Sequence, residues 1–168
     1  HGPDGNSANP SWPSLAGQNE AYFVKTIEAF KLPQGEDGGR YDVIMSGQSM
    51  ALSEQDAADL GAYFAKQKMA GKVANPALVG TGERLYRGGN KAAGVSACIA
   101  CHGPSGRGNA PAAYPSLAGQ HAVYTIKQLK DYRSAARMSD DSAIMRSISE
   151  RLTDDEIAAV ASYIQGLR

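Results

Sequence analysis

The strongest constraint on this chain is that it repeats itself. Pro13-Ser14-Leu15-Ala16-Gly17-Gln18 recurs as Pro115-Ser116-Leu117-Ala118-Gly119-Gln120, a displacement of 102 residues. At that displacement Tyr22, Val24, Lys25, Ile27 and Phe30 meet Tyr124, Ile126, Lys127, Leu129 and Tyr132. Farther on the displacement becomes 100: Ile44-Met45 meets Ile144-Met145, Leu52 meets Leu152, Ser53 meets Thr153, and Ala62-Tyr63 meets Ser162-Tyr163. His1-Gly2-Pro3-Asp4-Gly5 and His102-Gly103-Pro104-Ser105-Gly106 open the two copies alike. Agreement in one order, with small changes of length between blocks, means two copies of one unit. Two copies are too few for a solenoid, which needs about three repeats to bury a continuous core. The expectation is therefore two tandem domains, 1–70 and 77–168, joined by a linker at 68–76.

Both copies read as helical, so the expected fold class is all-α. Residues 19–31 and 121–133 place apolar side chains at spacings of two to four with charges between them, the pattern of an amphipathic helix. Ser53-x-x-Asp56 and Thr153-x-x-Glu156 have the form of capping boxes, in which a hydroxyl and an acid three residues later satisfy the first free N–H groups. Helices are expected behind them at 55–66 and 154–167, and a further one at 77–86 stopped by Gly88-Gly89. His121, which faces Asn19 in the other copy, is expected on the surface of its helix. No segment shows the sustained alternation that a half-buried strand needs.

The only cysteines are Cys98 and Cys101, so a fold-spanning disulfide framework is excluded. They belong to Cys98-Ile99-Ala100-Cys101-His102, the C-x-x-C-H pattern of covalent haem attachment. Two thiols add across the two porphyrin vinyl groups, and the adjacent histidine falls beneath the iron. A thioredoxin-like pair would need an α/β frame, and a structural zinc site would need four ligands; this sequence offers neither. An electron-carrying haem also takes a second axial ligand, with methionine the high-potential choice. Of Met45, Met50, Met69, Met138 and Met145, only Met45 and Met145 coincide in the repeat. Met145 is therefore expected opposite His102, and Met45 is its equivalent, with Met138 the first substitute to test. Pro13 and Pro115 follow His1 and His102 by 12 and 13 residues. Their carbonyls can orient the histidine rings, or the prolines can simply stiffen turns. Trp12 and Tyr114, just before them, can pack on the haem or fill core.

Composition narrows the function. The formal net charge is zero, which argues against a nucleic-acid binder needing a strong basic field. No apolar run approaches the roughly 18 residues of a membrane span. The neutral total hides a dipole: residues 1–70 hold nine acids and five bases, and residues 71–168 hold eight acids and twelve bases. Such an arrangement either steers partners electrostatically, with an effect that fades in salt, or is charge drift between duplicated halves without a role.

The paired His-Gly-x-x-Gly and Pro-Ser-Leu-Ala-Gly-Gln blocks, Arg87-Gly88-Gly89 before the cysteines, and the closing Ser162-Tyr163-Ile164-Gln165-Gly166-Leu167 resemble the cytochrome c4 family over essentially the whole chain. That resemblance implies two cytochrome c-like helical domains and two haem c groups with His/Met ligation. Carried over by position, one group is attached through Cys98 and Cys101 and ligated by His102 and Met145. The other is ligated by His1 and Met45 and attached through cysteines upstream of His1. The resemblance also implies a periplasmic electron shuttle of the respiratory chain, loosely membrane-associated, with no small-molecule substrate and no catalysis of its own. The implied donor is a quinol-oxidising cytochrome bc complex and the implied acceptor a terminal haem-copper oxidase. The alternative is a dihaem subunit of a redox enzyme, such as a flavocytochrome sulfide dehydrogenase. Counting the copies against each other, the first is about 20 residues shorter, which predicts a preceding helix and Cys-x-x-Cys. The helix carrying Leu60, Tyr63 and Phe64 is expected to need that partner for its apolar face.

Overall fold

A computed structural model describes residues 1–168 as eight α-helices with no β-sheet. They are α1 (Glu20–Lys31), α2 (Val43–Ser49), α3 (Glu54–Ala65), α4 (Pro76–Gly88), α5 (Ile99–His102), α6 (Ala122–Arg133), α7 (Ile144–Glu150) and α8 (Asp154–Gly166). The order α1–α2–α3 recurs as α6–α7–α8, as the repeat requires. Both capping boxes form: Ser53 with Asp56 starts α3, and Thr153 with Glu156 starts α8. Asn19 caps α1 by accepting from the Tyr22 amide at 2.8 Å. Asn75 caps α4, whose first residue is Pro76, where a missing N–H costs nothing. Sequence periodicity located these five long helices to within two residues and missed α2, α5 and α7, which are too short to show a period.

Each half has its own apolar cluster. In the first, Phe23 and Ile27 of α1 meet Ala57 of α3, with Leu60 and Phe64 packed against them. In the second, Leu85 and Tyr86 of α4 and Ile157, Val160, Tyr163 and Ile164 of α8 join Val95 and Leu152. Helices α4 and α8 approach closely because Gly82 has no side chain; a Cβ there would lie 2.2 Å from the Ala159 carbonyl oxygen. The loops after the two histidines share one contact, although the second is a residue longer and carries a 3-10 turn at Ala110–Ala112. Gly5 accepts from the Leu15 and Ala16 amides at 2.7 and 3.1 Å, and Gly106 accepts from Leu117 and Ala118 at 2.7 and 3.1 Å. Both glycines have positive φ, which a side chain would strain.

The Pro-Ser-Leu-Ala-Gly-Gln block joins the halves by a crossed exchange. Gln18 accepts from the Ser116 amide at 2.8 Å and donates to the Ser116 carbonyl at 3.1 Å. Gln120 accepts from the Ser14 amide at 2.9 Å and donates to the Ser14 carbonyl at 2.8 Å. One position farther on, Asn19 donates to the Tyr114 carbonyl at 2.8 Å and His121 Nε2 donates to the Ser7 carbonyl at 2.9 Å. This corrects the expectation for His121. It is buried, because the first turn of α6 faces the other half rather than water. The linker is also tethered: Lys72 donates to the Gly119 carbonyl at 2.6 Å, and the Val73 carbonyl accepts from Gln165 at 2.7 Å.

Candidate cofactor site

Cys98 ends the loop from Val95, and its carbonyl accepts from the His102 amide at 2.9 Å. The single turn α5 thus carries Cys101 and His102 on one short, rigid piece. The two thiols are free of any disulfide. Burial pushes the Cys98 thiol up to about 11, the opposite of a redox-active cysteine, whose pKa is lowered. No three His, Cys, Asp or Glu side chains are placed together so as to hold a metal ion, so the cysteines have no companions for a zinc site.

His102 is buried, which lowers its pKa and keeps the ring neutral, although the bond to Pro115 acts in the other direction. Its Nδ1 donates to the Pro115 carbonyl at 3.0 Å, leaving Nε2 without a protein partner. His1 does the same with Pro13 at 2.8 Å. Both prolines therefore supply carbonyls that orient a histidine. A ring fixed through Nδ1 with Nε2 free is the tautomer in which imidazole binds a metal.

One continuous cavity of about 640 Å³ runs past both histidines. Met45 from α2 and Met145 from α7 line it, whereas Met50, Met69 and Met138 do not. The sequence expectation that paired Met45 with Met145 thus coincides with the cavity. Trp12 and Tyr114 line it too; Trp12 is 50% exposed, so it is not core filler. Leu85, Leu117, Leu129, Ile148, Val160 and Ile164 supply apolar wall around Cys98 and His102. Neutral imidazole, thioether sulfur, two free thiols and an apolar wall fit a covalently bound haem. The donor set and the low polarity of the wall match its needs.

Between the two ends of the cavity lies a polar group that sequence reading missed. Arg137 Nη2 donates to the Tyr22 hydroxyl at 2.9 Å, and Arg40 Nη2 donates to the Tyr124 hydroxyl. Burial raises the Tyr22 pKa, but the positive charges of Arg137 and Arg40 and the hydrogen bond from Arg137 outweigh it, so the phenol is held below its ordinary value. The repeat had paired Tyr22 with Tyr124; the arginines lie where the copies lose register, so no alignment of the halves could flag them.

Comparison with known proteins agrees. The family described as Cytochrome c matches residues 82–168. Cytochrome c4 of Azotobacter vinelandii is 53% identical over 99% of this chain and 82% of its own length. The thiosulfate dehydrogenase electron acceptor of Thiomonas intermedia is 35% identical over 95% of this chain and 73% of its own. The crystal structure of reduced recombinant cytochrome c4 from Pseudomonas stutzeri superposes with a TM-score of 0.93. It is 45% identical, with 98% of this chain and 90% of that one covered. The cavity, the Cys-x-x-Cys-His turn and the near-complete likeness place this chain in the cytochrome c4 family, as an electron carrier with covalently bound haem c.

Proposed function

We propose that the chain holds two haems and relays electrons in the periplasm from a quinol-oxidising cytochrome bc complex to a terminal haem-copper oxidase. The observation that carries this reading is the doubled geometry. His1 and His102 each give Nδ1 to a proline carbonyl, and each shares the cavity with a methionine matched in the repeat. In this reading units 1–70 and 77–168 each serve one redox centre. His102 and Met145 ligate the haem held through Cys98 and Cys101, and His1 and Met45 ligate the other. Bound haem supplies a one-electron couple at its iron. The chain does the rest: Pro13 and Pro115 hold the imidazoles, the thioethers favour the reduced state, and the apolar wall limits water. No helix is long and apolar enough to cross a membrane.

The experiment is rapid-mixing kinetics of native protein with the purified bc complex and terminal oxidase. Fast, saturable transfer with both is the expected result; failure with either would remove that partner. A second reading is favoured by likeness to the thiosulfate dehydrogenase electron acceptor of Thiomonas intermedia, 35% identical: the electron source is a sulfur-compound dehydrogenase instead. Reduction by that enzyme with thiosulfate, and not by the bc complex, would select it.

A further inference from the structure

The turn that carries His102 is too short to hold itself. Helix α5 has four residues, closed by the His102 amide on the Cys98 carbonyl at 2.9 Å and the Gly103 amide on the Ile99 carbonyl at 3.0 Å. A single helical turn fixes many dihedral angles for few hydrogen bonds and is unstable alone. It ends at Gly103, whose φ of 77° a side chain would strain. One side chain reaches this corner from another helix. Tyr86, near the end of α4, donates its hydroxyl to the Gly103 carbonyl at 2.7 Å. The Tyr86 ring is fully buried in the apolar cluster of the second half and lies 5.5 Å from the Tyr163 ring. Burial raises its pKa, and nearby Cys98 and Tyr163 add to this while Arg87 acts in the other direction. The hydroxyl therefore keeps its proton and donates.

That bond joins a close helix crossing to the ligand turn. Tyr86 sits one turn beyond Gly82, where α4 meets the backbone of α8. It does not line the cavity, so it acts on the cofactor only through the chain. What it holds is the residue after His102, whose ring is aimed by the Nδ1 bond to Pro115 at 3.0 Å. The first loop is built without this tether. The Gly2 carbonyl accepts from the Gly5 amide at 3.2 Å, as Gly103 does from Gly106, but within residues 1–168 it takes no side chain. We infer that Tyr86 is a positioning residue of the second redox centre: its hydroxyl pins the His102 turn against the α4–α8 crossing and keeps the His102–Pro115 bond short. This rests on the reading of His102 as an iron ligand. A firm Nδ1 bond makes imidazole the more basic ligand, which favours ferric iron. The tether therefore lowers the potential of this centre alone.

The test is proton NMR of the reduced holoprotein with isotope-labelled histidine, in Tyr86→Phe, which keeps the ring and removes only the hydroxyl. Ring protons of an axial histidine are shifted upfield by the porphyrin, which identifies the His102 and His1 signals. The His102 Nδ1 proton should exchange about fivefold faster, the weight of one ordinary hydrogen bond, with His1 unchanged. Spectroelectrochemical titration should show one couple raised by about threefold in its reduction equilibrium, ~28 mV at 59 mV per tenfold. Replacing Tyr86 by difluorotyrosine, a stronger donor of nearly the same shape, should act in the opposite direction on both readouts and covers the case of a misfolded Tyr86→Phe. Tyr163→Phe, which removes a neighbouring hydroxyl and leaves the turn alone, should move neither. Unchanged exchange and potential in both Tyr86 variants, with His102 ring protons upfield, would overturn the tether and leave His102 as ligand. Equal changes at His1 and His102, or a Tyr163→Phe that reproduces the shift, would overturn it in favour of core packing. His102 ring protons without the upfield shift in native protein would overturn the ligand reading itself.

Discussion

Helices α2 and α7 occupy the same place in the repeat and bring Met45 and Met145 to one cavity, yet they are built differently. Asp42 starts α2 from extended backbone, its carboxylate accepting from the Ile44 and Met45 amides at 3.1 Å each. Helix α7 takes its cap from farther back, Asp140 accepting from the Arg146 amide at 2.9 Å, and is entered through Ser142 and Ala143, both left-handed with φ of 52° and 54°. The helices that follow differ more. Within residues 1–168, α8 packs on both α4 and α6 and buries seven residues, whereas α3 packs on α1 alone and buries Ala57 and Gly61. Tyr163 packs 5.5 Å from Tyr86 of α4, whereas its counterpart Tyr63 is half exposed and donates its hydroxyl to the Pro3 carbonyl at 2.9 Å. The two copies agree on the face that meets the cavity and the other half, and among residues 1–168 only α8 carries an outer partner, α4. Redox chemistry depends on the first, and local stability on the second.

That division can be broken by mutation, and the largest effect should come from the shared face. Met145→Ala should leave haem attached through Cys98 and Cys101. It should open the sixth position to carbon monoxide or cyanide, and lower one potential on the order of 0.1 V. Met45→Ala should do the same to the other couple alone. Unchanged ligand reactivity in Met145→Ala would break the equivalence and turn attention to Met138.

Outer packing should answer asymmetrically. Gly82→Ala drives a methyl group into the Ala159 carbonyl and Tyr163, and should destabilise the second half by about 3 kcal/mol in urea unfolding. In α3 the nearest obstacle to Gly61→Ala is the flexible Glu20 side chain at 3.2 Å. The gain in helix propensity should offset that contact, leaving stability within about 0.5 kcal/mol of the parent. Equal losses at the two positions would erase the asymmetry.

The entries to α2 and α7 should respond with opposite signs. Asp42→Ala removes a cap and should cost about 1 kcal/mol, whereas Ala143→Gly relieves a left-handed residue and should stabilise by about 1 kcal/mol. Thermal melts of the two variants decide it; a destabilised Ala143→Gly would show that the entry carries no strain.

The smallest effect concerns the contact where Asn19 and His121 occupy equivalent places. Burial lowers the His121 pKa, as does nearby Lys72, while the bond to Ser7 raises it. The unfolded chain therefore binds this proton more readily than the folded one. The His121 contribution is complete above about pH 6.5, the unfolded value, and is lost as pH falls through the folded value. The urea midpoint should drop between pH 7 and pH 5, and less so in His121→Asn. Equal drops in both proteins would assign the acid sensitivity elsewhere.

Much of this was legible before any coordinates. Repetition announced two helical units, Cys-x-x-Cys-His announced the cofactor, and agreement of Met45 with Met145 singled out two sulfurs that do line the cavity. The unreadable part is what depends on the halves meeting. His121 looked like a surface residue because its burial comes from Ser7, 114 positions away. Arg40 and Arg137 carry no local signal, because the sequence around them holds no sign of Tyr124 or Tyr22 across the junction. Helices of seven residues, such as α2 and α7, span two turns and leave no period to detect. What the repeat could show was which positions are equivalent, not which of them touch.

The central claim is two His/Met centres, one per copy, and proton NMR of the fully reduced native protein tests it most directly. A methionine bound to low-spin ferrous haem has its methyl resonance shifted far upfield by the porphyrin ring current. The account predicts two such resonances, one lost in Met145→Ala and the other in Met45→Ala. A single resonance in the native protein, or two that both survive Met45→Ala, would contradict it.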